Sequence, residues 1–373
     1  VITISELKSA MSSITNEGSD KLDVIGFDAC LMSTIEVAQS MAPYADYMVA
    51  SEVTEPGTGW DYNFLSYLKQ NPNMNPVELG KKIVKTFVAQ GSSNTEQTFM
   101  LSLLNLMEMN SVLSDLDALS VSIQNGGSDE YGVFQEALQY AQPVQEGLSS
   151  EARDLYDFVK RIKAGTMDDT VKQEAADLLS ALDTFILYLE KRSGYQDINV
   201  DNAHGLSIYS PEFMLTYQYE EDKYTDLTFD DETEWDELLE DYYSEITVDQ
   251  VIYFVEESLI YDTHDLDFDG WDDTISIGFE IESLEDEVDG YLGIDVYDVE
   301  GYLIDYVEYT FMINTTEIVY MEQGDLVFVL EETDGEAGYY IMVLYLCTGE
   351  EWNPATIQDY AETDYEWLEV YYG

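Results

Sequence analysis

Cys30 follows the apolar run Leu22-Asp23-Val24-Ile25-Gly26-Phe27 by three residues and precedes a second amphipathic segment. Its thiol therefore falls at the C-terminal end of a buried strand, just ahead of a helix. The unpaired N–H groups of a first helical turn and the positive end of the helix dipole stabilise a thiolate, so a cysteine placed there can act as a nucleophile. Placement alone also fits an inert cysteine at a strand end. A cysteine nucleophile needs a base, and the chain holds only two histidines, His204 and His264. Cys347, in or just after an apolar strand, reads as a buried spectator. A different chemistry is written in Asp265-Leu266-Asp267-Phe268-Asp269-Gly270-Trp271-Asp272-Asp273. Asp265, Asp267, Asp269 and Asp273 occupy loop positions one, three, five and nine, Gly270 permits a sharp turn at six, and the Trp271 carbonyl is available at seven. Hard oxygen donors in this alternation suit calcium. Position twelve is Ser276, where an EF-hand has a bidentate Glu, so the loop is expected among strands; a solvated acidic turn is the plain alternative.

The elements that must hold these groups alternate through the first two thirds of the chain. Thr3-Ile4-Ser5-Glu6 reads as a capping box opening an amphipathic helix through Leu7, Met11 and Ile14. The strand before Cys30, a helix from about Met32 to Met41 stopped by Pro43, and the strand Tyr47-Met48-Val49-Ala50 make a βαβ unit, whose ligands collect at the strands' C-terminal ends. Further helices are expected over about 77–91, 108–124, 130–140, 150–163, 169–192 and 233–243, their apolar stripes facing a core. His204-Gly205-Leu206-Ser207-Ile208-Tyr209 reads as a strand. Beyond residue 246 the pattern changes to short Val/Ile/Tyr/Phe-rich runs between acidic Gly turns, including 275–279, 291–296 and 339–345, which argue for a β-sandwich. Two domains follow, 1–246 of α/β type and 247–373 as an acidic β-sandwich module with the calcium loop.

Charge narrows the partners. The 14 Lys and Arg stand against 78 Asp and Glu, a formal net charge of -64, which excludes a nucleic-acid binder relying on a basic surface. All 14 basic residues lie at or before Lys223, while residues 224–373 carry 44 of the acids. Such self-repulsion calls for strong screening, which favours an extracellular or cell-surface setting rich in salt or divalent ions. No run approaches the apolar length of a membrane span, and two cysteines cannot build a disulfide framework. The opening Val1-Ile2-Thr3-Ile4 has neither an initiator Met nor a leader pattern, so a preceding segment is expected.

Leu22-Asp23-Val24-Ile25-Gly26-Phe27-Asp28-Ala29-Cys30-Leu31-Met32-Ser33, followed by Ile35-Glu36-Val37-Ala38 and by Ala50-Ser51-Glu52-Val53-Thr54-Glu55-Pro56-Gly57-Thr58-Gly59-Trp60, resembles the clostripain family of cysteine peptidases. Asp154-Leu155-Tyr156-Asp157-Phe158 and Gly205-Leu206-Ser207-Ile208-Tyr209 look like later landmarks of that family, so the resemblance covers roughly residues 1–246. It implies part of a caspase-like α/β sandwich, with Cys30 as nucleophile and Asp28 as an acidic specificity residue. An unpaired carboxylate two residues before a thiolate opposes its ionisation unless a cation arrives, and a substrate Arg or Lys would be that cation. Cleavage after basic residues is the expected activity; the alternative for Asp28 is a cap on the helix near Met32. Thr54 is expected to line the same pocket, while Glu52 and Glu55 could serve only to hold loop backbone. The Cys30 N–H can supply one oxyanion donor. In the family the catalytic histidine lies upstream of the cysteine in a His-Gly segment, so the base is expected before Val1, and His204-Gly205 copies that dipeptide at the wrong landmark. The rival class is a catalytically silent, calcium-dependent extracellular adhesion protein that keeps the fold.

Overall fold

A computed structural model describes residues 3–91, 93–145, 152–195, 198–211, 224 and 227–246, and beyond these 252–254, 259–264, 274–283, 288–298, 303–313, 319–326, 329–330, 338–348, 357–362, 366–368 and 371–372. The chain divides into two compact units, Val1–Glu245 and Ile246–Gly373.

The first unit is a mixed α/β structure around a four-stranded sheet. Helix α1 (Ile4–Ile14) opens with the expected capping box, Glu6 N–H donating to Thr3 Oγ1 at 3.2 Å and Thr3 N–H to Glu6 Oε2 at 3.0 Å. Strand β1 (Leu22–Gly26) is followed by α2 (Ile35–Met41) and β2 (Ala45–Ala50), and β1 and β2 pair in parallel, as a βαβ unit requires. Helices α3 (Phe64–Gln70) and α4 (Pro76–Gln90) lead to β3 (Phe99–Asn105), which runs antiparallel to β2. Next come α5 (Met109–Gly126), α6 (Ser128–Tyr140), the short β4 (Ala152–Asp154), α7 (Leu155–Gly165) and α8 (Asp169–Phe185). Strand β5 (Ile186–Arg192) closes the sheet antiparallel to β3, giving the order β1-β2-β3-β5. Strand β6 (Ser207–Tyr209) pairs with β4, and α9 (Trp235–Ile246) ends the unit.

Two expectations change here. The helix expected over 169–192 stops at Phe185, and its last seven residues are β5. Ile186-Leu187-Tyr188-Leu189 is β-branched, apolar and aromatic, so helical periodicity and a strand run overlap there, and pairing with β3 decides between them. The helix expected over 150–163 likewise begins only at Leu155, because Ala152–Asp154 pairs with β6.

Strand β3, which no pattern in the sequence singled out, is the centre of the core. Phe99, Leu101 and Leu103 pack with Val49, Ile83, Val84 and Phe87, whereas Met100 joins Val53, Ile198, Val200 and Ala203. Successive side chains thus feed opposite faces of the sheet, as the period of a strand dictates. Covered on both faces, β3 is apolar from Phe99 to Leu104 save for Ser102, with no alternation to betray it.

In the second unit, β7 (Ile252–Phe254), β8 (Ile260–His264), β9 (Thr274–Ser283) and β12 (Val319–Leu326) form one antiparallel sheet. Strands β10 (Val288–Asp298), β11 (Leu303–Ile313), β14 (Gly338–Thr348), β15 (Ile357–Glu362) and β16 (Glu366–Leu368) form another. Leu292 and Ile294 on β10 and Leu344 and Leu346 on β14 are buried at alternate positions of the second of these sheets, as Phe279 and Ile281 on β9 are in the first.

Candidate active site

After β1 the chain turns away through Asp28-Ala29-Cys30-Leu31. Phe27 N–H still bonds to the Val49 carbonyl at 3.0 Å, and Leu31 N–H reaches the Val53 carbonyl at 3.3 Å. Leu31, the next residue after Cys30, has a φ of 57°, a left-handed conformation that is costly for a bulky side chain. Cys30 is an exposed free thiol.

The helix does not begin where expected. Thr34 caps α2, its Oγ1 accepting from Val37 N–H at 3.2 Å, so Cys30 lies four residues before the cap and outside the first turn. The helix-end argument for thiolate stabilisation therefore gives way to another donor. Glu55 N–H points at Cys30 Sγ, at 3.2 Å. This backbone amide comes from the loop after β2, the segment that also carries Thr54.

Asp28 is tied to that loop and caps nothing. Its Oδ1 accepts from Trp60 N–H at 3.0 Å and its Oδ2 from the Tyr62 hydroxyl at 2.9 Å. Gly59, at a φ of 62°, lets the loop pass so close that a Cβ there would stand 3.1 Å from both Asp28 oxygens. Trp60 is buried in the core beside Phe64 and donates its indole N–H to Glu55 Oε1 at 3.3 Å. Cys30, Asp28, Glu55, Trp60 and Tyr62 are thus one connected cluster, and Thr54 lies between Val53, bonded to Leu31, and Glu55, bonded to Cys30. Burial pushes the Glu55 carboxyl up to about 8, opposed by the Trp60 hydrogen bond and reinforced by the neighbouring Asp28 charge. Sequence reasoning left Glu55 a minor role. Its position two residues before Gly57 in a loop that must return under Asp28 was the available signal.

His204 is held elsewhere. Its Nδ1 stands 3.1 Å from Asp154 Oδ1, its backbone N–H donates to Asp154 Oδ2, and its ring stacks on Tyr156 at 4.4 Å. None of its contacts is with Cys30. Asp154, fully buried, also caps α7 by accepting from Asp157 N–H at 2.6 Å. Glu52 completes this second cluster: Gly205 N–H donates to its Oε2 at 2.8 Å, and burial, with the Asp154 charge adding, holds its carboxyl well above the usual range. Gly205, at a φ of 102°, brings its carbonyl within 2.7 Å of both Ser33 Oγ and Ser102 Oγ, locking the chain after Cys30 onto β3. His264 ends β8 and Cys347 lies in β14. Asp265, Asp267, Asp269, Trp271 and Asp273 fall outside the described residues. Among the described residues no group of three or more His, Cys, Asp or Glu side chains could hold a metal ion, and no helix is long and apolar enough to cross a membrane.

An exposed thiol on the turn after a parallel strand, with a backbone N–H on its sulfur and a carboxylate two residues earlier, has the layout of a cysteine-nucleophile site. The sequence profile of the clostripain family matches residues 1–242, and the chain belongs to that family of cysteine peptidases. Clostripain of Hathewaya histolytica is 24% identical over 241 residues, 54% of this chain and 45% of that protein, so the chain spans under half the length of this relative. Among solved structures, a clostripain from Bacteroides thetaiotaomicron in complex with a peptide inhibitor aligns over 62% of this chain and 94% of its own, at 16% identity and a TM-score of 0.48. A secreted cysteine protease of the same organism, in complex with an irreversible peptide inhibitor, covers 64% of this chain and 63% of its own at 14% identity and a TM-score of 0.44.

Proposed function

We propose that the chain carries the nucleophile and the specificity pocket of a secreted cysteine endopeptidase that cleaves protein or peptide substrates after Arg or Lys. The observation that carries this reading is the pairing of an exposed Cys30 thiol with Asp28, whose two oxygens each accept one hydrogen bond and keep lone pairs for a cation. In the reaction, the Cys30 thiolate adds to the scissile carbonyl, whose oxygen becomes an oxyanion facing the Cys30 N–H. Collapse breaks the C–N bond, the amine leaving with a proton from the imidazolium of the base. Water, giving its proton to the same imidazole, then hydrolyses the thioester and frees the thiolate. Asp28 binds the guanidinium or ammonium of the residue before the scissile bond.

The base in this proposal is a histidine on a segment upstream of Val1. Two things support that assignment: His204 is committed to Asp154 and Tyr156, and β1 is an edge strand of its sheet, half-exposed, with an N–H and C=O row able to pair with a further strand. In the second unit we propose a β-sandwich built from the two sheets, binding calcium through Asp265, Asp267, Asp269, Asp273 and the Trp271 carbonyl. The assay is hydrolysis of matched peptides by this chain produced together with the segment encoded upstream. Cleavage after Arg and Lys and not after Gln is expected; equal cleavage after Gln would overturn the specificity.

A further inference from the structure

The loop after β2 places a second carboxyl, that of Glu55, beside Asp28. Glu55 Oε1 takes the Trp60 indole N–H, but Oε2, shielded from solvent, has no donor within reach. A shielded carboxylate oxygen without a donor is costly unless the group keeps its proton or a cation arrives. A proton kept there can be shared with Asp28, the acid the carboxyl faces. The same residue's N–H rests on Cys30 Sγ, so Glu55 adjoins the thiol through its backbone and Asp28 through its side chain.

We infer that Glu55 is a second specificity residue of the Cys30 pocket, one that gives up its proton when a basic substrate side chain enters and then shares that cation with Asp28. This inference rests on the proposed preference for Arg and Lys. The charge balance is simple. Before binding, Glu55 keeps its proton; on binding, one proton leaves it for solvent as one guanidinium or ammonium enters, so the pocket charge is unchanged while a second carboxylate comes to face the cation beside Asp28. The two-carboxylate geometry suits the planar fork of Arg, which can bond to both acids at once, better than the point charge of Lys. Because Glu55 titrates near 8 when the pocket is empty, a basic ligand must bind more tightly as pH rises toward that value. The other groups facing Glu55 are Asp28, the Cys30 thiol and Tyr62. The Tyr62 phenol is held above its usual range by its bond to Asp28 and stays protonated throughout.

The test uses the full chain with Cys30→Ser, which prevents turnover and removes the thiol titration. Calorimetric titration with acetyl-arginine amide, and with acetyl-citrulline amide as the uncharged isostere, is run from pH 6 to 8 in buffers of different ionisation enthalpy. The arginine ligand is expected to bind about tenfold or more tightly at pH 8 than at pH 6, releasing close to one proton near pH 7. Adding Glu55→Gln is expected to flatten the pH dependence and abolish proton release. Arginine binding that is pH-independent, or whose pH dependence survives Glu55→Gln, overturns the inference and leaves Asp28 as the sole acid. Equal binding of the citrulline ligand overturns the Arg/Lys reading itself.

Discussion

Asp28 is exposed, yet two donors fix its carboxylate in place, the Trp60 N–H and the Tyr62 hydroxyl. A fixed carboxylate discriminates between cationic and neutral side chains because it loses no ordering entropy when the ligand arrives. Asp28→Asn in the complete protein should lower kcat/KM for Arg and Lys peptides by well over tenfold, the equivalent of about 2–5 kcal/mol for a broken charge pair. Tyr62→Phe, which removes one positioning bond and no charge, should cost far less. A peptide library profile unchanged by Asp28→Asn would sink the assignment. The place of Cys30 just past a strand end was legible in the sequence, but the partner of its sulfur was not. The amide of Glu55 is 25 residues away and only parallel pairing of β1 with β2 brings the two loops together.

Elements position the site through close backbone contacts more than through helix ends. The chain after Cys30 is held by Ser33, whose hydroxyl shares the Gly205 carbonyl with Ser102 of β3. Gly205 can make this approach because it has no Cβ; an added one would stand 2.7 Å from Ser102 Cβ, and its φ of 102° disfavours any side chain. Gly205→Ala should therefore destabilise the first unit by about 2 kcal/mol or more, seen as a lower denaturant midpoint with an unchanged slope. An unshifted midpoint would show that this lock is slack. The Gly-Leu-Ser-Ile-Tyr run could be read as a strand, whereas the part of the Gly205 carbonyl in holding the loop after Cys30 depends on β3. That strand shows no alternation because both its faces are buried, and the α8–β5 break is hidden because four residues satisfy both periodicities.

At the scale of the whole molecule, acid dominates. Glu36, Glu52 and Glu55 are all raised by burial, and Asp236 is pushed up to about 9, chiefly by desolvation. A carboxyl whose pKa is higher in the folded state holds its proton there while the unfolded chain has lost it. Stability is then greatest below the ordinary carboxylate range and falls as pH rises through the raised values. The melting temperature should be higher at pH 5.5 than at pH 8.5, and Glu52→Gln should shrink the difference; a higher melting temperature at pH 8.5 would contradict this account. Calcium should act on the other unit. If Asp265, Asp267, Asp269 and Asp273 form the proposed loop, millimolar calcium raises the melting temperature of that unit by mass action and chelation reverses it. Asp267→Asn with Asp269→Asn should abolish the shift, and an identical shift in that variant would move calcium to other ligands.

Cys30 is proposed as the nucleophile of a peptidase selective for basic side chains. The direct measurement is covalent labelling of this chain, produced together with the proposed upstream segment, by acyloxymethyl ketone peptides that differ only in the residue beside the reactive group. Peptide mapping by mass spectrometry should place the label on Cys30 alone, with Arg and Lys reagents reacting at least tenfold faster than a Gln reagent and with no label on a Cys30→Ala variant. Labelling of Cys347 at a comparable rate, or equal rates for the Arg and Gln reagents, would contradict the account.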